Sequence, residues 1–168
     1  MFLGTCRPWF LLSCTGLLLA TLSCATIGPV GPQDPLVGTW VMNVSRSKFS
    51  PGPAPKGMTV TYESTAQGLH VVTSTVGADG TSQKTEYTAA YDGKDYPITG
   101  APQVEVVSLR QIDALTSERT DKRGGKAVTS YTRQVYADGR TLVVTQKGND
   151  ASGSPVDNEI IFEKQKTT

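Results

Sequence analysis

Beyond residue 25, short runs rich in Thr, Val, Ile and aromatic residues alternate with glycine-centred turn signals, and no stretch keeps the apolar period of a helix. Without helices there are no crossover connections, so the strands must pair antiparallel, neighbour with neighbour, through hairpins. The pattern predicts about nine strands: 37–44, 57–65, 69–76, 81–91, 104–111, 115–120, 128–136, 141–147 and 158–164. Asp79-Gly80, Asp92-Gly93, Gly124-Gly125 and Asp138-Gly139 supply the positive backbone angles that tight turns need. Between the first two strands, Pro51, Pro53 and Pro55 forbid a helix in the loop Ser45 to Pro55.

A meander of this length exposes two strand edges unless it closes on itself. Closure predicts an all-β, antiparallel up-and-down barrel of eight to ten strands, a size whose interior is filled by side chains or holds one small ligand. A flattened sandwich of the same strands is the alternative. Alternation assigns Trp40, Met42, Val60, Tyr62, Tyr87, Ala89, Leu142, Val144, Ile160 and Phe162 to the inside. The intervening Thr59, Thr61, Glu63, Thr141, Thr145 and Glu163 suit water.

Residues 1–25 read as a secretory signal: Arg7 near the start, an apolar core from Trp9 to Leu22, and small residues Ser23 and Ala25 at a cleavage site. A second processing route would make Cys24 a lipidated first residue, with 26–35 a Gly- and Pro-rich tether between membrane and domain. The expected organisation is thus a signal peptide over 1–25, a flexible linker over 26–35 and one domain over 36–168. The expected location is the periplasm or the exterior, with a membrane reached only through a lipid anchor at Cys24.

Cys6, Cys14 and Cys24 all lie in that leader, and His70 is the only histidine. The domain therefore has no disulfide, no thiolate metal site and no histidine pair for acid and base work. Removing Arg7 with the leader leaves 15 basic against 15 acidic residues. Neutrality argues against nucleic acid or an anionic membrane face as partner. The run Lys122, Arg123, Lys126 reads as a solvated hairpin tip. The Asp-Gly pairs lack the alternating acidic ligands and distal Glu of a calcium loop, so no metal and no cofactor is expected.

Leu36, Val37, Gly38, Thr39, Trp40 at the head of the first strand resembles the Gly-x-Trp opening of lipocalins and fatty-acid-binding proteins. The stretch Gly38 to Pro53, the segment Tyr91 to Pro97 and the closing Phe162, Glu163, Lys164, Gln165 are similar to calycin-type, lipocalin-like exported bacterial proteins. The resemblance implies a barrel in which Gly38 and Trp40 close one end. The proline-rich loop departs from fatty-acid-binding proteins by leaving no room for their two-helix lid. In a bacterial protein the glycosylation pattern Asn43, Val44, Ser45 carries little meaning.

No nucleophile-elbow pattern accompanies His70, which reads as a surface or rim residue, and no enzyme is expected. Tyr62, Tyr87, Tyr131 and Arg133 are the candidate ligand contacts of the interior. Tyr131 and Arg133 share a face with Val135 by alternation, yet an inward Arg is an expensive buried charge unless an anion meets it. The weight therefore falls on Arg133 facing solvent or pairing with Glu118 or Glu86. The expected function is a module binding a small apolar or amphipathic molecule. The alternative is a filled barrel that binds an envelope protein through the loop Ser47 to Pro55 and the exposed stretch Tyr96 to Pro102.

Overall fold

A computed structural model of the chain describes residues 33–149 and 153–166. The signal segment, Cys24 and most of the expected linker lie outside the described residues. Ten strands follow in order: β1 Gly38–Met42, β2 Gly57–Thr65, β3 Gly68–Val76, β4 Ser82–Ala89, β5 Tyr96–Thr99, β6 Val106–Gln111, β7 Thr116–Arg123, β8 Lys126–Val135, β9 Thr141–Asn149 and β10 Pro155–Lys164. Each pairs antiparallel with its chain neighbour, and β1 pairs with β10 to close the barrel, Met42 opposite Phe162. Closure follows from the chemistry of edges, because an open meander would leave two rows of unpaired backbone groups. The architecture is compatible with a lipocalin-like barrel.

Three sequence expectations need correction. The stretch Tyr96 to Pro102 is not all exposed loop: Tyr96–Thr99 forms β5, and Ile98 is buried. Pro97 removes a backbone donor and masks the strand in the sequence. The strand is short, matching only Tyr87 and Glu86 on one side and Val107 and Val106 on the other. A single 3-10 turn, Val44–Arg46, starts the loop expected to be helix-free. It ends before the prolines, and the Asn43 side chain caps it by accepting the Arg46 N–H at 3.2 Å. Arg133 does not face solvent, as the next section describes.

One end of the barrel is apolar and closed. All ten residues assigned inward by alternation are buried, and they pack with Leu36, Leu69, Val71, Leu109 and Val135. Trp40 is fully buried there, and its indole N–H donates to the Leu36 carbonyl at 2.6 Å. The Lys164 ammonium lies 5.0 Å from the centre of the ring. Gly38 sits at φ +127°, a backbone angle that favours glycine; a Cβ on it would fall 2.7 Å from Lys164 Cε, near the end of a flexible side chain that would have to shift.

The segment ahead of β1 is tied to this end. Asp34 accepts the Leu36 N–H at 2.9 Å and the Tyr91 hydroxyl at 2.7 Å. The proline-rich loop is also held at its start, where Lys48 and Glu159 exchange backbone hydrogen bonds and Ser50 N–H donates to Asn158 Oδ1.

Candidate functional site

Moving away from the closed end, the inward pairs of β3 and β4 change from Leu69–Ala89 to Val71–Tyr87, Thr73–Thr85 and Thr75–Gln83. The interior thus grades from apolar to hydroxyl and amide groups along its axis. A cavity of about 510 Å³ occupies the graded part. Its mouth carries half-buried Thr75 and exposed Gln83 together with Pro102 and Gln103 of the β5–β6 loop, both exposed. That volume is in the range of sites that enclose a small molecule.

The lining has two chemically distinct walls. Met58, Val60, Val144, Ile160 and Phe162, from β2, β9 and β10, make an apolar wall. Tyr87 of β4, Arg119 and Asp121 of β7, and Tyr131 and Arg133 of β8 make a polar aromatic one. Tyr62 joins the two, its ring lying 5.9 Å below the Arg133 guanidinium carbon. The structure therefore brings the four sequence candidates Tyr62, Tyr87, Tyr131 and Arg133 to one cavity.

Arg119 and Asp121 are the additions that sequence reasoning missed. The Arg119 guanidinium is sandwiched between the rings of Tyr87 and Tyr131, at 4.8 Å and 4.9 Å from their centres. Its Nε donates to Asp121 Oδ1 at 2.5 Å and its Nη2 to Asp121 Oδ2 at 2.8 Å, a bidentate pair on one edge of the guanidinium. Asp121 is 2 % exposed, so the pair is desolvated and complete. Burial alone would lower the Arg119 pKa, but the surrounding phenols and Asp121 carry it the other way, and the residue stays charged.

Strand β7, Thr-Ser-Glu-Arg-Thr-Asp-Lys-Arg, has no apolar residue to mark its inner face. The hairpin register could have marked it, but an irregularity between Asp121 and Lys122 shifts the pairing by one. Counting back from the Gly124-Gly125 turn without that shift sets Thr120 opposite Thr129. The bulge instead sets Asp121 opposite Thr129 and Arg119 opposite Tyr131, which points both charges inward.

Arg133 corrects the expectation that it faces water or pairs with Glu118 or Glu86. It is 3 % exposed, and its inward direction follows from parity with Val135. Glu118 sits opposite Thr132, on the other face of the sheet, and Glu86 is engaged outside with His70 and Lys84. Arg133 Nη1 donates to the Tyr87 hydroxyl at 3.4 Å, while Nε and Nη2 have no hydrogen-bond partner among the described residues. Directly opposite in the β7–β8 pair lies Ser117, buried, its hydroxyl likewise without a partner. Burial works against the charged form of Arg133, but the phenols of Tyr87, Tyr62 and Tyr91 carry its pKa the other way, and the residue stays charged. Burial pushes the Tyr62 phenol up to about 12, so near neutrality that ring is uncharged.

His70 lies on the outer face, its ring nitrogens 3.4 Å from Glu63 and 3.1 Å from Glu86, away from the cavity. Among the described residues no cluster of His, Cys, Asp and Glu could hold a metal ion. The chemistry available inside the barrel is recognition by cation, phenol, hydroxyl and apolar surface. Compared with known proteins, the chain matches no family model and no curated protein, so the reading of this site rests on its own residues.

Proposed function

We propose that this protein is an exported, lipocalin-like module of the cell envelope that takes one small amphipathic molecule into its barrel. The observation that carries the reading is the cavity of about 510 Å³, with an apolar wall on one side and a wall of tyrosines and arginines on the other. A ligand with one apolar and one polar face satisfies both walls at once, and an entirely apolar one would bury the polar wall without partners. Export is supported by the leader over residues 1–25, from which either a free protein or one anchored at Cys24 would emerge. The alternative, a solid barrel that acts through its loops, has less support. The interior holds open volume, and the start of the Ser47 to Pro55 loop is bonded to β10.

The test is a titration of the leader-free protein with N-phenyl-1-naphthylamine, a neutral fluorophore with two aromatic faces and one amine N–H, whose emission rises in dry surroundings. Trp40 would be the only tryptophan remaining and lies at the closed end of the barrel, so energy transfer from it reports occupancy of the interior. Saturable uptake with loss of Trp40 emission, at one probe per chain, is expected. Absence of saturable binding would remove the proposal.

A further inference from the structure

We propose that the molecule taken up carries a carboxylate, and that this group seats on the free Nε and Nη2 edge of Arg133, deep in the barrel. The inference rests on the binding reading above and narrows it to a class of ligand. Its warrant is a comparison internal to the cavity. Arg119 and Arg133 both line the same space. Arg119 uses its Nε and Nη2 edge to hold both oxygens of Asp121. Arg133 presents the same edge with nothing on it, having spent only Nη1, on Tyr87.

The charge balance points the same way. The charged residues lining the cavity are Arg119, Asp121 and Arg133, which leave one positive charge uncompensated. A buried, unpaired guanidinium costs folding free energy, and a monoanion is the smallest addition that neutralises it. The edge is planar and two-pronged, so it fits the two oxygens of a carboxylate, the geometry Asp121 displays on Arg119 nearer the mouth. Arg133 stands beside Val144 and Tyr62, immediately above the apolar closed end. The head group is therefore expected to enter first, leaving the apolar part against Val60, Ile160 and Met58.

The position also explains why so costly a residue sits there. With no acid facing it among the described residues, Arg133 weakens the empty barrel and rewards the occupied one, an arrangement that favours binding over stability.

The experiment displaces N-phenyl-1-naphthylamine from the leader-free protein with three ligands of one shape: 4-phenylbutanoate, 4-phenylbutanol and 4-phenylbutylammonium. The carboxylate is expected to compete about tenfold or more better than the alcohol, and the ammonium worst of all. Arg133→Met removes a buried unpaired charge and is expected to fold at least as well as the wild type. It should show no preference for the carboxylate over the alcohol. If the alcohol competes as well as the carboxylate in the wild type, or if Arg133→Met keeps the preference, the carboxylate assignment fails and the binding reading stands. If the fluorophore itself does not bind, both fail. The wild-type series needs no variant and decides the matter even if Arg133→Met does not fold.

Discussion

Trp40 is fully buried, bonded to the Leu36 carbonyl and covered by Lys164. Trp40→Ala is expected to cost about 3 to 5 kcal/mol, because a large cavity opens where the barrel closes. That is a large part of the roughly 5 to 15 kcal/mol that holds a domain of this size. Denaturant titration of the variant measures it, and a loss below about 1 kcal/mol would mean the closed end does not depend on the ring. In the wild type, Trp40 emission should be blue-shifted and out of reach of quenchers; a red, quenchable signal from a cooperatively folded sample would contradict its burial. At this scale the sequence was legible where a side chain is apolar, since alternation alone assigned Trp40, Tyr62 and Phe162 to the inside. It misled at Arg133, where the cost of a buried charge pointed outward and strand parity with Val135 prevailed.

Strands β2, β3 and β4 are linked on their outer face by one imidazole, with Glu63, His70 and Glu86 contributed by each in turn. The hydrogen bond to Glu86 raises the His70 pKa above its ordinary value, against the opposing effect of its partial burial and with help from Glu63. A raised folded-state pKa means that the protonated imidazole stabilises the fold. That contribution is complete below the unfolded value of about 6.5 and disappears as pH climbs through the higher folded value. Denaturant midpoints measured between about pH 5 and pH 9 for wild type and His70→Gln should therefore converge as pH rises. Parallel curves would mean the imidazole links nothing. Two elements were hard to read in the sequence for local reasons. β5 carries Pro97 in the middle of its four residues. β7 is polar throughout, so its inner face depends on the shift at Asp121 and Lys122.

The barrel is closed by the pairing of β1 with β10, whose residues lie more than a hundred positions apart in the chain. A chain ending at Asn149 would lose β10 and leave the free edges of β1 and β9 facing solvent. Loss of cooperative unfolding and aggregation in size-exclusion runs are expected for it, and a soluble, cooperatively folding product would show that the remaining strands close by another route. The sequence by itself determined the antiparallel meander and the inward apolar set, because period-two alternation and turn residues are local properties that each strand carries alone. Only the tertiary structure decided that the interior stays open and that Arg119, Asp121 and Arg133 meet Tyr62, Tyr87 and Tyr131 within it. Those meetings depend on the register of four strands, β2, β4, β7 and β8, and on one bulge, and register is set by the pairing of whole strands rather than by any residue within them.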